Sequence, residues 1–202
     1  AFKPGINILL VDYHRLVIYD TLLPAGRLRE PLTGKDRADI VIITKCPKDL
    51  KPMEFRVITK AMSLYPYQQL FFTTLEYGEL NPIFGDFGEL RELKNLKDYH
   101  ILLLTGIASP EQMTHDLTPL VKDITPLTFA DHHRFKAKDI QLINETFDQI
   151  PQPCCVITTE KDATRLYDIE GLSEKVRKNI YTLPVNIRFM QKQEDTFNQH
   201  II

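Results

Sequence analysis

Several familiar protein classes are excluded by what this sequence lacks. Three cysteines in 202 residues are too few for a disulfide scaffold; Cys46 stands alone, and Cys154 and Cys155 sit side by side in an apolar run. Neither Cys-x-x-Cys spacing nor a Cys/His cluster points to zinc, so small buried packing residues with reduced thiols are expected. No signal peptide is visible, which sets the expectation of a cytoplasmic setting. No run approaches the roughly 18 apolar residues that a membrane span needs. The net charge of −2 speaks against a basic nucleic-acid binder. A Gly-x-x-x-x-Gly-Lys-Ser/Thr phosphate loop is missing: Gly34-Lys35 has no glycine at the required upstream position and is followed by Asp36. Internal repeats and low-complexity tracts are absent too.

What remains is a composition suited to a compact soluble body, with 43% hydrophobic and 26% charged residues. Residues 6–12 and 38–44 are continuous apolar runs rich in Ile and Val, the pattern of strands covered on both faces. Residues 69–75, 101–104, 124–129, 154–158 and 179–185 read as further strands. Between them lie helical patterns: 52–65, with apolar residues at Met53, Val57, Ile58, Ala61 and Leu64; a segment opened by Ser109-Pro110-Glu111-Gln112; and 137–150. The alternation predicts an α/β fold, a mainly parallel sheet flanked by helices. Residues 77–88, with Pro82 and three glycines, break the rhythm and read as a connector or β ribbon between two lobes, 1–76 and 89–202. The tail from Gln191 reads as a short or frayed helix.

Three segments carry candidate chemistry. Leu22-Leu23-Pro24-Ala25-Gly26-Arg27-Leu28-Arg29-Glu30-Pro31 follows the first strand and is too rigid and too charged for a core. Fixed loops beyond strand ends are where α/β proteins hold ligands, although a surface turn with a solvated Arg29–Glu30 pair fits the same residues. Asp131-His132-His133 lies between a strand and a helix. A histidine there suits proton transfer near neutral pH if a carboxylate orients it; a purely structural histidine is the alternative. Thr158-Thr159-Glu160-Lys161-Asp162 opens a helix after a buried strand. Its amides and Lys161 suit a phosphate; equally, Thr159 and Asp162 suit a cap, with Lys161 and Asp162 tying the strand end to a neighbour. The interval from Arg27 to Lys60 is locally basic, nine Lys/Arg against five Asp/Glu, which fits a phosphorylated substrate, an anionic membrane surface or a solvated face.

Taken in order, these segments resemble the tetraacyldisaccharide 4'-kinases, which phosphorylate the lipid A precursor. The resemblance is carried by Ile8-Leu9-Leu10-Val11-Asp12 with the Pro24 to Pro31 loop, by Arg37-Ala38-Asp39-Ile40-Val41-Ile42-Ile43-Thr44-Lys45, by Thr105-Gly106-Ile107-Ala108-Ser109-Pro110, by Phe129-Ala130-Asp131-His132-His133, and by Thr158 to Ala163. Together they span residues 5 to 185. One departure is Arg27, where the family often has proline.

The resemblance implies a fold related to P-loop kinases. Residues 1–76 would be the remainder of a nucleotide-binding lobe, 77–88 a connector and 89–202 a C-terminal lobe. It implies ATP and Mg²⁺ in the complete enzyme and in-line transfer to the 4'-hydroxyl of the acylated glucosamine disaccharide 1-phosphate. The site would lie at the cytoplasmic face of the inner membrane. His132 would act on the hydroxyl with an aspartate from the nucleotide half. Glu30 would line the site near metal or substrate, and Arg29 would bind phosphate or hold Glu30. Thr159 and Lys161 would face phosphate, with Asp131 and Asp162 as structural support. The family's P-loop and Asp-Asp-Gly-Phe-Gln-like motif are not in this sequence, so the chain alone is expected to be inactive. A stand-alone lipid-saccharide binding module derived from the kinase is the second expectation. Asp131-His132-His133 also resembles the DHH phosphoesterases, but the further Asp/His clusters of a two-metal site are missing.

Overall fold

A computed structural model describes residues 5–16, 34–85, 89–106, 110–131 and 133–201. The loop from Leu22 to Pro31, with Arg29 and Glu30, lies outside the described residues, as do Ser109 and His132. The chain divides into two units, residues 1–76 with 186–202, and residues 77–185.

In the first unit, β1 (Ile8–Asp12), β2 (Ile40–Cys46) and β3 (Gln69–Tyr77) are joined side by side, β1 to β2 and β2 to β3 in parallel register. Helix α1 (Pro52–Met62) crosses between β2 and β3. Phe55, Ile58 and Met62 recur at helical spacing and pack on Val41, Ile43 and Phe72. Pro52 occupies the first helical position, where a missing amide hydrogen costs nothing, and Glu54 accepts from the Lys51 amide at 2.8 Å. Gln68 fixes the entry to β3 by donating to the carbonyls of Lys35 and Ala38 at 2.6 and 2.7 Å.

The second unit holds β4 (Asn81–Pro82), β5 (His100–Thr105), β6 (Asp123–Thr128), β7 (Cys154–Thr158) and β8 (Ile180–Thr182), in the order β4-β8-β7-β5-β6. All pairs are parallel except β4 with β8. Every residue of β5 and β7 is buried, as expected of central strands covered on both faces. Alternate residues divide the core. Leu102, Leu104 and Val156 face α3 (Ala137–Gln149), α4 (Glu160–Leu166) and α5 (Glu174–Lys178) through Ile143, Phe147, Leu166 and Val176. Ile101, Leu103, Cys155 and Ile157 face α2 (Glu111–Leu117) through Met113 and Leu117.

The expectation of mainly parallel sheet flanked by helices is borne out, in two sheets. Residues 81–82, within the 77–88 segment read as a connector or β ribbon, pair antiparallel with β8 in the second sheet. Two local readings differ. Helix α2 starts at Glu111, with Pro110 rather than Ser109 at the cap position. The run 179–185 ends its strand at Thr182; the Leu183-Pro184 step follows, with the Pro184 carbonyl accepting from the Gly78 amide at 2.9 Å. The chain then enters β9 (Val185–Phe189), which lies next to β3 in the first sheet, and α6 (Glu194–Ile201). Phe197 of α6 meets Phe71 edge-on at 5.3 Å and stacks on Phe189 at 4.6 Å.

Candidate functional site

The parallel strands β5, β6 and β7 end together, and the three loops beyond them carry the second and third segments singled out above. Gly106 follows β5, Ala130, Asp131 and His133 come after β6, and Thr159 opens α4 directly after β7.

Asp162 organises this edge. Its side chain is 0% exposed. Its Oδ2 accepts from the Gly106 amide at 2.8 Å and from the Thr159 hydroxyl at 2.7 Å. That hydroxyl in turn accepts from the Asp162 amide at 3.1 Å, capping the helix. Burying a carboxylate requires such donors. Gly106 has no room for a side chain, since a Cβ there would lie 2.8 Å from Asp162 Oδ1.

Lys161 reaches the neighbouring loop, where its Nζ donates to Asp131 Oδ1 at 2.6 Å. His133 Nε2 lies 2.9 Å from Asp139 Oδ2 in the first turn of α3, and the ring stacks on Phe129 at 4.8 Å. The hydrogen bond from His133, then that from the Lys136 amide, hold the Asp139 carboxyl below the ordinary aspartate range against the opposing pull of burial. Of the two histidines, His133 is thus committed to α3. Two buried hydroxyls, those of Thr105 and Thr158, have no hydrogen-bond partner among the described residues.

The structure therefore gathers Thr159, Lys161, Asp162 and Asp131 along one sheet edge, with Lys161 and Asp162 serving different loops. Sequence reasoning missed a comparable pair in the first unit. Asp12, at the end of β1, accepts from Lys45 Nζ at 2.8 Å and from the His14 amide at 2.9 Å. Burial pushes its carboxyl up, but Lys45 and the His14 amide outweigh that and leave it below the usual range. Lys45 adopts a left-handed φ of 58° within an irregularity of the β2–β3 register. The only signal in the sequence was an acidic residue closing an apolar strand. Among the described residues no group of three His, Cys, Asp or Glu is placed to hold a metal ion.

Two units of mostly parallel sheet flanked by helices define an α/β protein. The chain belongs to the tetraacyldisaccharide-1-P 4'-kinase family, whose model matches residues 1–202. It is 54% identical over 202 residues to a tetraacyldisaccharide 4'-kinase of Phocaeicola vulgatus, covering 98% of this chain and 55% of that one. Identity to the enzyme of Bacteroides thetaiotaomicron is 50% over 209 residues, covering 99% and 55%. For Porphyromonas gingivalis it is 36% over 205 residues, covering 99% and 56%. The chain thus spans about half the length of the curated relatives it matches. Among solved structures, "apo" form LpxK from Aquifex aeolicus in complex with ATP is similar at 22% identity and a TM-score of 0.49, covering 98% of this chain and 52% of that one.

Proposed function

We propose that this chain is the C-terminal part of an ATP-dependent kinase that phosphorylates the 4'-hydroxyl of the acylated glucosamine disaccharide 1-phosphate in lipid A biosynthesis. The observation that carries the reading is the match of the family to the whole chain. Within it, His132 takes up the proton of the attacking hydroxyl, Glu30 lines the site, and Arg29 binds phosphate or braces Glu30.

The described residues do not themselves make an ATP–Mg²⁺ site. The sequence has no P-loop, and the described residues offer no three-ligand metal cluster. ATP and its metal are therefore assigned to a P-loop half outside this chain, and the chain alone is inactive. Among the described residues β1 is an edge strand, and its Ile8 and Leu10 are 45% and 65% exposed. No described helix is long and apolar enough to cross a membrane; we assign the enzyme to the cytoplasmic face of the inner membrane, where its lipid acceptor lies. The missing P-loop also supports a second reading, a non-catalytic module that binds the lipid saccharide.

The test compares phosphate transfer from labelled ATP to the disaccharide by the full-length enzyme, by its His132→Ala variant and by this chain alone. The proposal expects transfer by the first, a loss of roughly 10²-fold or more in the second and none by the third. Undiminished turnover in the variant removes His132 from the mechanism. If no longer form of the protein transfers phosphate while this chain still binds the disaccharide, the binding module is the better reading.

A further inference from the structure

His132 is flanked in sequence by two residues whose side chains are each fixed to the first turn of a different helix. Before it, Asp131 Oδ1 accepts from Nζ of Lys161, the second residue of α4, at 2.6 Å. After it, His133 Nε2 lies 2.9 Å from Oδ2 of Asp139, the third residue of α3. Both anchors are themselves held. Asp139 Oδ2 also accepts from the Lys136 amide at 2.8 Å. Next to Lys161, the buried Asp162 is bonded to the Gly106 amide and the Thr159 hydroxyl.

We infer that Lys161 and Asp139 are positioning residues that hold Asp131 and His133, the two sequence neighbours of His132. What the loop is held for rests on the kinase reading; the holding itself rests on the contacts above. The Lys161 and Asp131 side chains are 42% and 41% exposed, and a pair so open to water adds little to stability. Its effect is directional, because it ties Asp131 to the first turn of α4, 30 residues on in sequence. A group that takes a proton from a hydroxyl works only within hydrogen-bond reach, and displacement by about 1 Å costs on the order of 10²-fold in rate. An ammonium already in contact with a carboxylate is also a weak partner for a substrate phosphate, which favours positioning over phosphate binding for Lys161.

The experiment uses the full-length kinase with Lys161→Met, Asp131→Asn, the double variant and Lys161→Arg. Steady-state kinetics would be paired with hydrogen exchange of the 129–133 segment, where the His133 amide bonds to the Ala130 carbonyl at 3.0 Å. Each single change should lower kcat about tenfold while KM for the disaccharide stays within about twofold. The double variant should be no worse than the weaker single one, Lys161→Arg should recover part of the rate, and exchange should quicken about tenfold in Lys161→Met. A raised KM with intact kcat in Lys161→Met, or losses that multiply in the double variant, would overturn the assignment and make Lys161 a substrate contact. Because Asp139 also caps α3, its part is tested with His133→Phe, which keeps the ring on Phe129 but drops the hydrogen bond. Wild-type kcat and exchange in that variant would remove Asp139 from the proposal. A wild-type enzyme without ATP-dependent transfer would overturn the kinase reading instead, leaving the exchange comparison to decide the holding.

Discussion

The amide of Gly106 donates to the buried carboxylate of Asp162 across 2.8 Å, and the same carboxylate leaves no space for any larger residue at position 106. One contact thus fixes the exit of β5 against the first turn of α4, and it explains a glycine that the sequence offers only as a turn.

Gly106→Ala is expected to destabilise the fold by about 1–3 kcal/mol, the usual cost of overpacking. Asp162→Ala should cost about 1–3 kcal/mol for each buried donor it orphans, and Asp162→Asn less, since its one oxygen in the place of Oδ2 still accepts from both. Urea denaturation midpoints would check the order. A neutral Gly106→Ala would show that the Asp162 side chain can move aside.

Strand positions and the mainly parallel pairing were legible because Ile and Val runs report burial directly. The face of α1 was not: of Met53, Val57, Ile58, Ala61 and Leu64 only Ile58 is buried, and Phe55 and Met62 complete the packed face instead. Nor was the hand-over at Pro184. Residues 179–189 are apolar enough for one strand, and nothing local says that Ile180–Thr182 and Val185–Phe189 join different sheets. In the site, the Thr159–Asp162 cap could be read from spacing. The partners of Lys161 and Asp162 could not, because Asp131 and Gly106 lie 30 and 56 residues away and only folding joins them.

The three thiols should be inert in the native protein. Burial pushes Cys46 up to about 12 and Cys154 up to about 11, and Cys155 higher still. Since the thiolate is the nucleophile, iodoacetamide at neutral pH should label none of them until denaturant is added. Fast native labelling of Cys46 would mean that the end of β2 opens readily.

Acid stability should depend on Asp139 and Asp12. Both carboxyls ionise more readily when folded than an ordinary aspartate near 3.9. Each therefore contributes stability that is fully present above that value and is lost as pH falls through its lower folded-state value. Denaturation midpoints measured at neutral pH and near pH 3 should differ less in Asp139→Asn than in the wild type. The same holds for Lys45→Met, which removes the cation that keeps Asp12 low. An unchanged difference would show that neither carboxylate governs the acid limb.

The last prediction concerns the tail that the sequence left as a short or frayed helix. Phe71 is 1% exposed and is met by Phe189 at 5.9 Å and Phe197 at 5.3 Å, both edge-on. Phe71→Ala removes the common partner and should cost about 3–5 kcal/mol. Phe197→Ala removes the closer of two ring contacts that α6 makes with Phe71, His200 making the other at 6.2 Å; α6 is a helix of eight residues without a buried side chain. A helix that short is not stable by itself. The second change should therefore raise amide exchange across 194–201 while leaving the urea midpoint close to wild type. If Phe197→Ala lowered the midpoint as far as Phe71→Ala, α6 would be an integral part of the first unit's core rather than a segment docked upon it.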